Sequence, residues 1–243
     1  MHRSYFFYAL MGILGIGVLL GMALGIAFLL RRLPNKTANR YFGLLLIAFS
    51  MTLMHSIFVL SDLERYIVWP LYFTLSLPSL LFFYVKTSLF PGYRLKPTDS
   101  KHFVLPLGQL IFFLGIFLGY FGRLERSFYQ PFYGAFEQVL YLSTFYFYLY
   151  SAHKYIQFKA IHFKDALERR RVAYMKLLVG TFVILFAVHT LFVVTDFISY
   201  EFFRINLRSL KLYVGLGALS FGALVYWLVV YGIQTLIWSK GRV

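Results

Sequence analysis

Cysteine is absent from the 243-residue chain, and acids are scarce: nine Asp and Glu against 24 Lys and Arg. The first absence excludes disulfides, thiolate catalysis and cysteine-ligated zinc. With only 14% of its residues charged and 60% apolar, the chain lacks the polar surface of a soluble domain. The Gly-x-Ser-x-Gly elbow of serine hydrolases does not occur. No Ser/Gly-rich linker or low-complexity stretch marks a second domain.

What the chain does have is long apolar runs. Several reach the ~20 residues needed to cross a bilayer. They predict seven spans, at about 6–30, 41–60, 67–88, 103–121, 135–153, 177–198 and 212–238, joined by short connections. Backbone polar groups in lipid must be satisfied within the segment, so each span is expected to be a helix. A barrel would need alternating segments of about 10 residues, which are missing. The run from Phe6 to Leu30 is too long for a signal-peptide core and its net basic flank follows it, so it reads as an uncleaved first span. The expected fold is an all-α bundle of seven transmembrane helices, a single domain over 1–243.

The basic residues divide unequally between alternate connections. Seventeen lie in one set: Arg31, Arg32, Lys36 and Arg40, then Lys86, Arg94, Lys96 and Lys101, then seven between Lys154 and Lys176, then Lys240 and Arg242. The other set holds seven, and six of the nine acids. Cytoplasmic loops retain Lys and Arg, so the N-terminus is expected outside and the C-terminus inside. The same retention accounts for the net charge of +15 without nucleic acid, and direct nucleic-acid binding by this chain is not expected.

Local patterns agree with helices in lipid. Gly17, Gly21 and Gly25 recur every four residues and form a smooth stripe suited to helix packing or dimerisation. Pro78 falls inside the third span, where it is expected to kink the helix. Pro106 lies near the start of the fourth, where a missing N–H costs little. Trp69, Tyr72, Tyr93, Tyr120, Tyr155, Tyr200, Tyr213 and Trp238 sit near span ends, as interfacial aromatics do. Between Lys154 and Lys176, apolar residues interleave with basic ones, and Lys164–Glu168 and Asp165–Arg169 are spaced i,i+4. That suits a helix extending span five or lying on the inner leaflet, its basic side chains near anionic lipid.

Ionisable groups inside the spans are few. His55, His189, Asp196 and Glu137 all map to the outer half, with His189 and Asp196 two turns apart on one face. Thr190, Thr195, Ser50 and Ser143 add neutral donors at similar depths, whereas the inner halves offer little beyond Gln109. The four ionisable groups are candidates for an outward-facing pocket that binds a ligand or responds to pH. Interhelical hydrogen bonding is the plainer alternative. No two potential metal ligands among them are spaced i,i+4 on one helix, so neither a metal nor another cofactor is expected. Residues 212–238 contain no lysine for a retinal Schiff base, and no histidine follows His189 to build a late zinc site. An enzyme is not expected.

Two segments are more specific than hydropathy. One is Leu33-Pro-Asn-Lys-Thr-Ala-Asn-Arg-Tyr-Phe-Gly-Leu-Leu-Leu, leading into span two. The other is Leu77-Pro-Ser-Leu-Leu-Phe-Phe-Tyr-Val-Lys-Thr-Ser-Leu, followed by a basic loop and His102-Phe-Val-Leu-Pro. Together they resemble the membrane-embedded N-terminal domain of bacterial AraC-type transcriptional regulators, where similar patterns recur in the same order and separation. Leu77 stands where that family often has Gly before the proline. The resemblance covers about residues 1–238 and implies a bacterial inner-membrane protein. Family members continue into a cytoplasmic helix-turn-helix domain that no residues here match. The chain therefore looks like a sensor half that acts through an output domain or a separate protein.

The leading expectation is a non-enzymatic sensory or regulatory membrane module. A small transporter or channel component, or a structural assembly subunit joined through the glycine stripe, are the alternatives. Expected partners are the bilayer with anionic lipid at its inner face, and a second copy of the chain or a separate cytoplasmic output protein.

Overall fold

The computed structural model describes residues 5–31, 35–61, 73–118, 135–162 and 165–240. Residues 67–72 and 119–121 of the expected third and fourth spans lie outside these. So do Trp69, Tyr72, Tyr120, Lys164 and the basic residues Arg3, Arg32, Arg65, Arg123, Arg126 and Arg242.

Among the described residues there are seven α-helices and no strands. They are α1 (Tyr5–Leu30), α2 (Lys36–Leu60), α3 (Ser76–Leu89), α4 (Val104–Phe117), α5 (Ala135–Ile161), α6 (Ala166–Glu201) and α7 (Lys211–Lys240), with short 3-10 turns at Pro97–Phe103 and Leu207–Ser209. Four helices are long and apolar enough to cross a membrane: Tyr5–Leu30, Lys36–Leu60, Ala166–Glu201 and, within α7, Lys211–Ile237. Large apolar side chains such as Ile16, Leu19, Ile184 and Leu191 stay exposed along α1 and α6. In water such contiguous faces would drive association, whereas lipid solvates them.

Helix boundaries follow from single side chains. Asn35 adopts the left-handed conformation (φ 57°), which asparagine tolerates, and its Oδ1 accepts the Ala38 N–H at 3.4 Å to start α2. The Asp165 carboxylate accepts the Glu168 N–H at 2.6 Å and starts α6. The stretch 154–176 is thus divided between two helices. Glu168 binds Lys159 of α5 at 2.7 Å, and its expected partner Lys164 lies outside the described residues.

The expected kink at Pro78 does not occur. Residues Phe73–Leu75 form a turn, α3 begins at Ser76, and Pro78 lies in its first turn. A first-turn proline loses no intrahelical bond, because the N–H it lacks would have had no partner there.

The core is built round α2. Phe42, Leu45, Leu46, Phe49 and Leu53 are fully buried. Phe42 meets Phe28 of α1 (4.9 Å between ring centroids), Tyr84 of α3 (4.7 Å) and Tyr231 of α7 (5.8 Å). Two turns on, Phe49 meets Phe145 of α5, Phe182 of α6 and Phe221 of α7. In lipid such ring packing, about 0.5–1.5 kcal/mol a pair, replaces the hydrophobic drive that assembles soluble bundles.

The glycine stripe is filled within the chain. A Cβ on Gly25 would stand 2.9 Å from the Gly43 carbonyl oxygen, and one on Gly43 would stand 2.8 Å from the Gly25 carbonyl oxygen. Backbones of α1 and α2 therefore touch, and Gly43 of the first motif is required by that approach. Gly17 abuts Leu53 of α2 and Tyr226 of α7, and Gly21 abuts Ser50.

Candidate functional site

The polar side chains gather at two levels of the bundle. One is the basic end, where α1 leads into α2, α3 into α4 and α5 into α6. The other lies toward the opposite end.

At the basic end the two sequence motifs meet. The Asn35 Nδ2 donates to the Thr87 carbonyl at 2.9 Å, joining the start of α2 to the last turn of α3. One residue earlier, Lys86 is buried and donates from Nζ to the Tyr93 hydroxyl at 2.8 Å. Tyr93 donates in turn to Asp99 Oδ2 at 2.5 Å, and Lys86 Nζ lies 3.5 Å from Asp99 Oδ1. The Lys96 N–H completes the set, donating to Asp99 Oδ2 at 2.8 Å. The ammonium also stands 4.0 Å from the Tyr93 ring centroid and within 6 Å of Phe82, Phe83 and Tyr155.

Burial pushes the Asp99 carboxyl upward, but the Tyr93 hydroxyl, the Lys96 N–H and the Lys86 ammonium outweigh it and hold it below its ordinary value. Burial and the Asp99 carboxylate raise the Tyr93 phenol, which stays protonated and donating. His102 sits against the Phe82 and Phe83 rings and hydrogen-bonds through Nδ1 to the Tyr148 hydroxyl at 2.7 Å. Burial first, and then the Lys101 charge, lower its basicity and favour the neutral ring. Lys159–Glu168 adds α5 and α6 to the same end.

The second level contains the sensing candidates. Glu137 of α5 accepts from Thr74 Oγ1 at 2.9 Å and from Gln109 Nε2 at 2.7 Å. Gln109 also accepts the Leu75 N–H through Oε1 at 2.9 Å, satisfying backbone at the turn before α3. Gln109 and Thr74 are buried. The residue after Glu137, Gln138, donates to Asp196 of α6 at 3.4 Å. His189 pairs through Nδ1 with Ser220 Oγ of α7 at 3.0 Å, among the rings of Tyr141, Phe186 and Phe221. His55 lies half-buried on α2.

These contacts draw Glu137 toward α3 and α4, Asp196 toward α5, and His189 toward α7. His189 and Asp196 share a helix face but engage different neighbours. Gln109, expected in the inner half, is in direct contact with Glu137, expected in the outer half. The two meet at the turn Phe73–Leu75, where Gln109 also bonds Thr74 and the Leu75 N–H. Of the neutral donors, Thr190 accepts from the Tyr146 hydroxyl at 3.0 Å, and Ser50 and Ser143 return their hydroxyls to their own helix backbones.

Among the described residues no group of three or more His, Asp or Glu is placed to hold a metal ion. Sequence reasoning did not single out the Lys86–Tyr93–Asp99 cluster. Its signal was there: a lysine at the end of an apolar run, and a lone acid in an otherwise basic loop. No known protein family, curated protein or solved structure matches the chain.

Proposed function

We propose that this chain is a non-enzymatic sensory module of a bacterial inner membrane, crossing it seven times with the N-terminus outside and the basic end in the cytoplasm. In this reading it corresponds to the membrane sensor half of an AraC-type regulator. The observation that carries it is the contrast between the two levels. Toward the outside, the joining contacts are hydrogen bonds of an ionisable side chain with neutral ones, Glu137 with Thr74 and Gln109, Gln138 with Asp196, and His189 with Ser220, whereas the basic end holds ion pairs. At the basic end, Asn35–Thr87 ties α2 to α3, Lys86–Asp99 ties α3 to the connection after it, Lys159–Glu168 ties α5 to α6, and the Phe82 ring of α3 packs on Tyr148 and Tyr155 of α5. A signal that protonates or displaces an outer contact would favour a second helix packing, and the tied end would carry that shift as a unit. The two segments that support the family resemblance are the ones that build the tied end.

The test is a transcriptional reporter driven through an AraC-type output domain joined to the C-terminus. His55→Ala, His189→Ala and Glu137→Gln are expected to shift its basal level or its pH response. If all three leave both unchanged, the outer groups are not the sensor.

A second reading, a small transporter component, is favoured by the turn at Phe73–Leu75. Non-helical backbone beside buried Gln109 and Glu137 is how broken helices line solute sites in transporters. Solute flux into proteoliposomes carrying the purified chain would favour it over the sensor.

A further inference from the structure

We propose that Tyr141 and His189 bind the hydroxyl head of a small phenol, which enters from the lipid between α6 and α7. The inference rests on the sensory reading of this level and names the ligand class and the residue that reads it. Its first support is a hydroxyl with nothing to bond. Tyr141 is one of 20 tyrosines, and nothing in the sequence marks it. In the structure it is 6% exposed, and among the described residues its O–H meets no acceptor. A buried donor left unpaired costs about 1–3 kcal/mol, so a fold that keeps one needs a reason for it. The Tyr141 ring stands edge-on to Phe145 (5.5 Å between centroids), Phe186 (5.7 Å) and His189 (6.2 Å), which hold it in place.

The second support is the tautomer of His189. Ser220 Oγ donates its one proton to the Gly217 carbonyl at 2.7 Å, so toward His189 it accepts. The 3.0 Å contact is therefore Nδ1–H to Oγ, and in the neutral ring Nε2 is left as an acceptor. Neighbouring rings thus offer one donor and one acceptor. A single hydroxyl complements both, accepting from Tyr141 and donating to Nε2. A carboxylate or an ether lacks the proton to donate, and an ammonium lacks the lone pair to accept. The third support is access. The seam between α6 and α7 is pinned by Tyr213, whose hydroxyl donates to the Phe192 carbonyl at 2.6 Å, and by Trp227, whose Nε1 donates to the Leu178 carbonyl at 3.4 Å. Between these pins a Cβ on Gly217 would meet nothing nearer than Phe192 at 3.9 Å, and Gly217, Ser220 and His189 are each half-buried. The seam is least filled where His189 stands, and the Phe221 ring beside it (5.3 Å) suits an aromatic body.

The test uses the full chain in lipid nanodiscs, with fluorine NMR titrations of para-fluorophenol and of para-fluoroanisole, whose oxygen accepts but cannot donate. The chain should bind the phenol about tenfold more tightly than the anisole. Tyr141→Phe removes the donor that both probes use and should weaken both about tenfold. His189→Asn keeps a nitrogen donor toward Ser220 and deletes Nε2. It should weaken the phenol about tenfold and leave the anisole within about twofold. Ser143→Ala, on the same helix as Tyr141 but with its hydroxyl bonded to its own helix backbone, should change neither. Without ligand, Tyr141→Phe should melt higher than the parent, because an unpaired buried hydroxyl is gone. Equal affinity for the two probes would overturn the proposal. So would a Tyr141→Phe chain that binds the phenol as the parent does, or one that melts lower than the parent without ligand. Binding that follows the expected pattern, with no effect of the phenol on the reporter, would uphold the site and count against the sensory reading alone.

Discussion

Single residues decide whether this bundle closes. Gly25 and Gly43 face each other across α1 and α2 with no space for a Cβ, whereas Gly12 has nothing within 4 Å of one. Gly25→Ala should therefore destabilise the protein by about 1–3 kcal/mol through overpacking. Gly12→Ala should be neutral or stabilise by a few tenths, as alanine does in an open helix position. Melting temperatures of the two purified variants check the contrast. At the basic end, Lys86 and Asp99 are buried partners, and removing one leaves the other uncompensated. Asp99→Asn should cost about 3 kcal/mol in denaturation measurements. The pH dependence follows from the same groups. Asp99 is held below its ordinary value, so its stabilising contribution is full above that value and disappears as pH falls through the lower folded one. His102 is also lowered, so its contribution is full above about pH 6.5 and declines below it. Stability should thus fall in two steps on acidification. Removing His102 with His102→Gln should abolish the upper step and leave the lower.

At the scale of elements, the apolar runs fall on the seven helices of the described residues, but hydropathy misjudged how some of them end. The apolar runs predicted helices over 6–30, 41–60 and 212–238, and α1, α2 and α7 lie there because nothing in those runs competes with the helix. The third run is different. Its composition does not distinguish a kinked helix from a turn followed by a helix, and the contact of Gln109 with the Leu75 N–H helps to hold the turn. That contact joins residues 34 positions apart, beyond the reach of any local pattern. Pro78→Ala accordingly should change the melting temperature little, since the proline sits in the first turn; a mid-helix kink would instead have given a large gain. The polar candidates were legible as residue types, because an ionisable group in an apolar run stands out. Their partners were not, since Ser220, Gln138 and Thr74 are unremarkable in sequence. The Lys86–Asp99 pair was hidden for a related reason: positive-inside retention explains a lysine at that position without any partner.

At the scale of the whole molecule, the two levels of polar contacts form one linked bundle. The contacts of the far level include residues of α5 and α6, and these same helices carry Lys159 and Glu168 at the basic end. Absence of cysteine lets reporters be placed at will. Single cysteines at Ser100, in the basic connection, and at Ser209, in the connection before α7, are both exposed and should report opposite sides of the membrane. An impermeant maleimide should label Ser209→Cys in intact cells and Ser100→Cys only after permeabilisation. The most direct measurement of coupling is the distance between spin labels on Ser100→Cys and His162→Cys at the basic end, taken with and without Glu137→Gln at the far level. A linked bundle predicts that Glu137→Gln redistributes the populations in that distance profile. Superimposable profiles would contradict the coupling on which the sensory role depends.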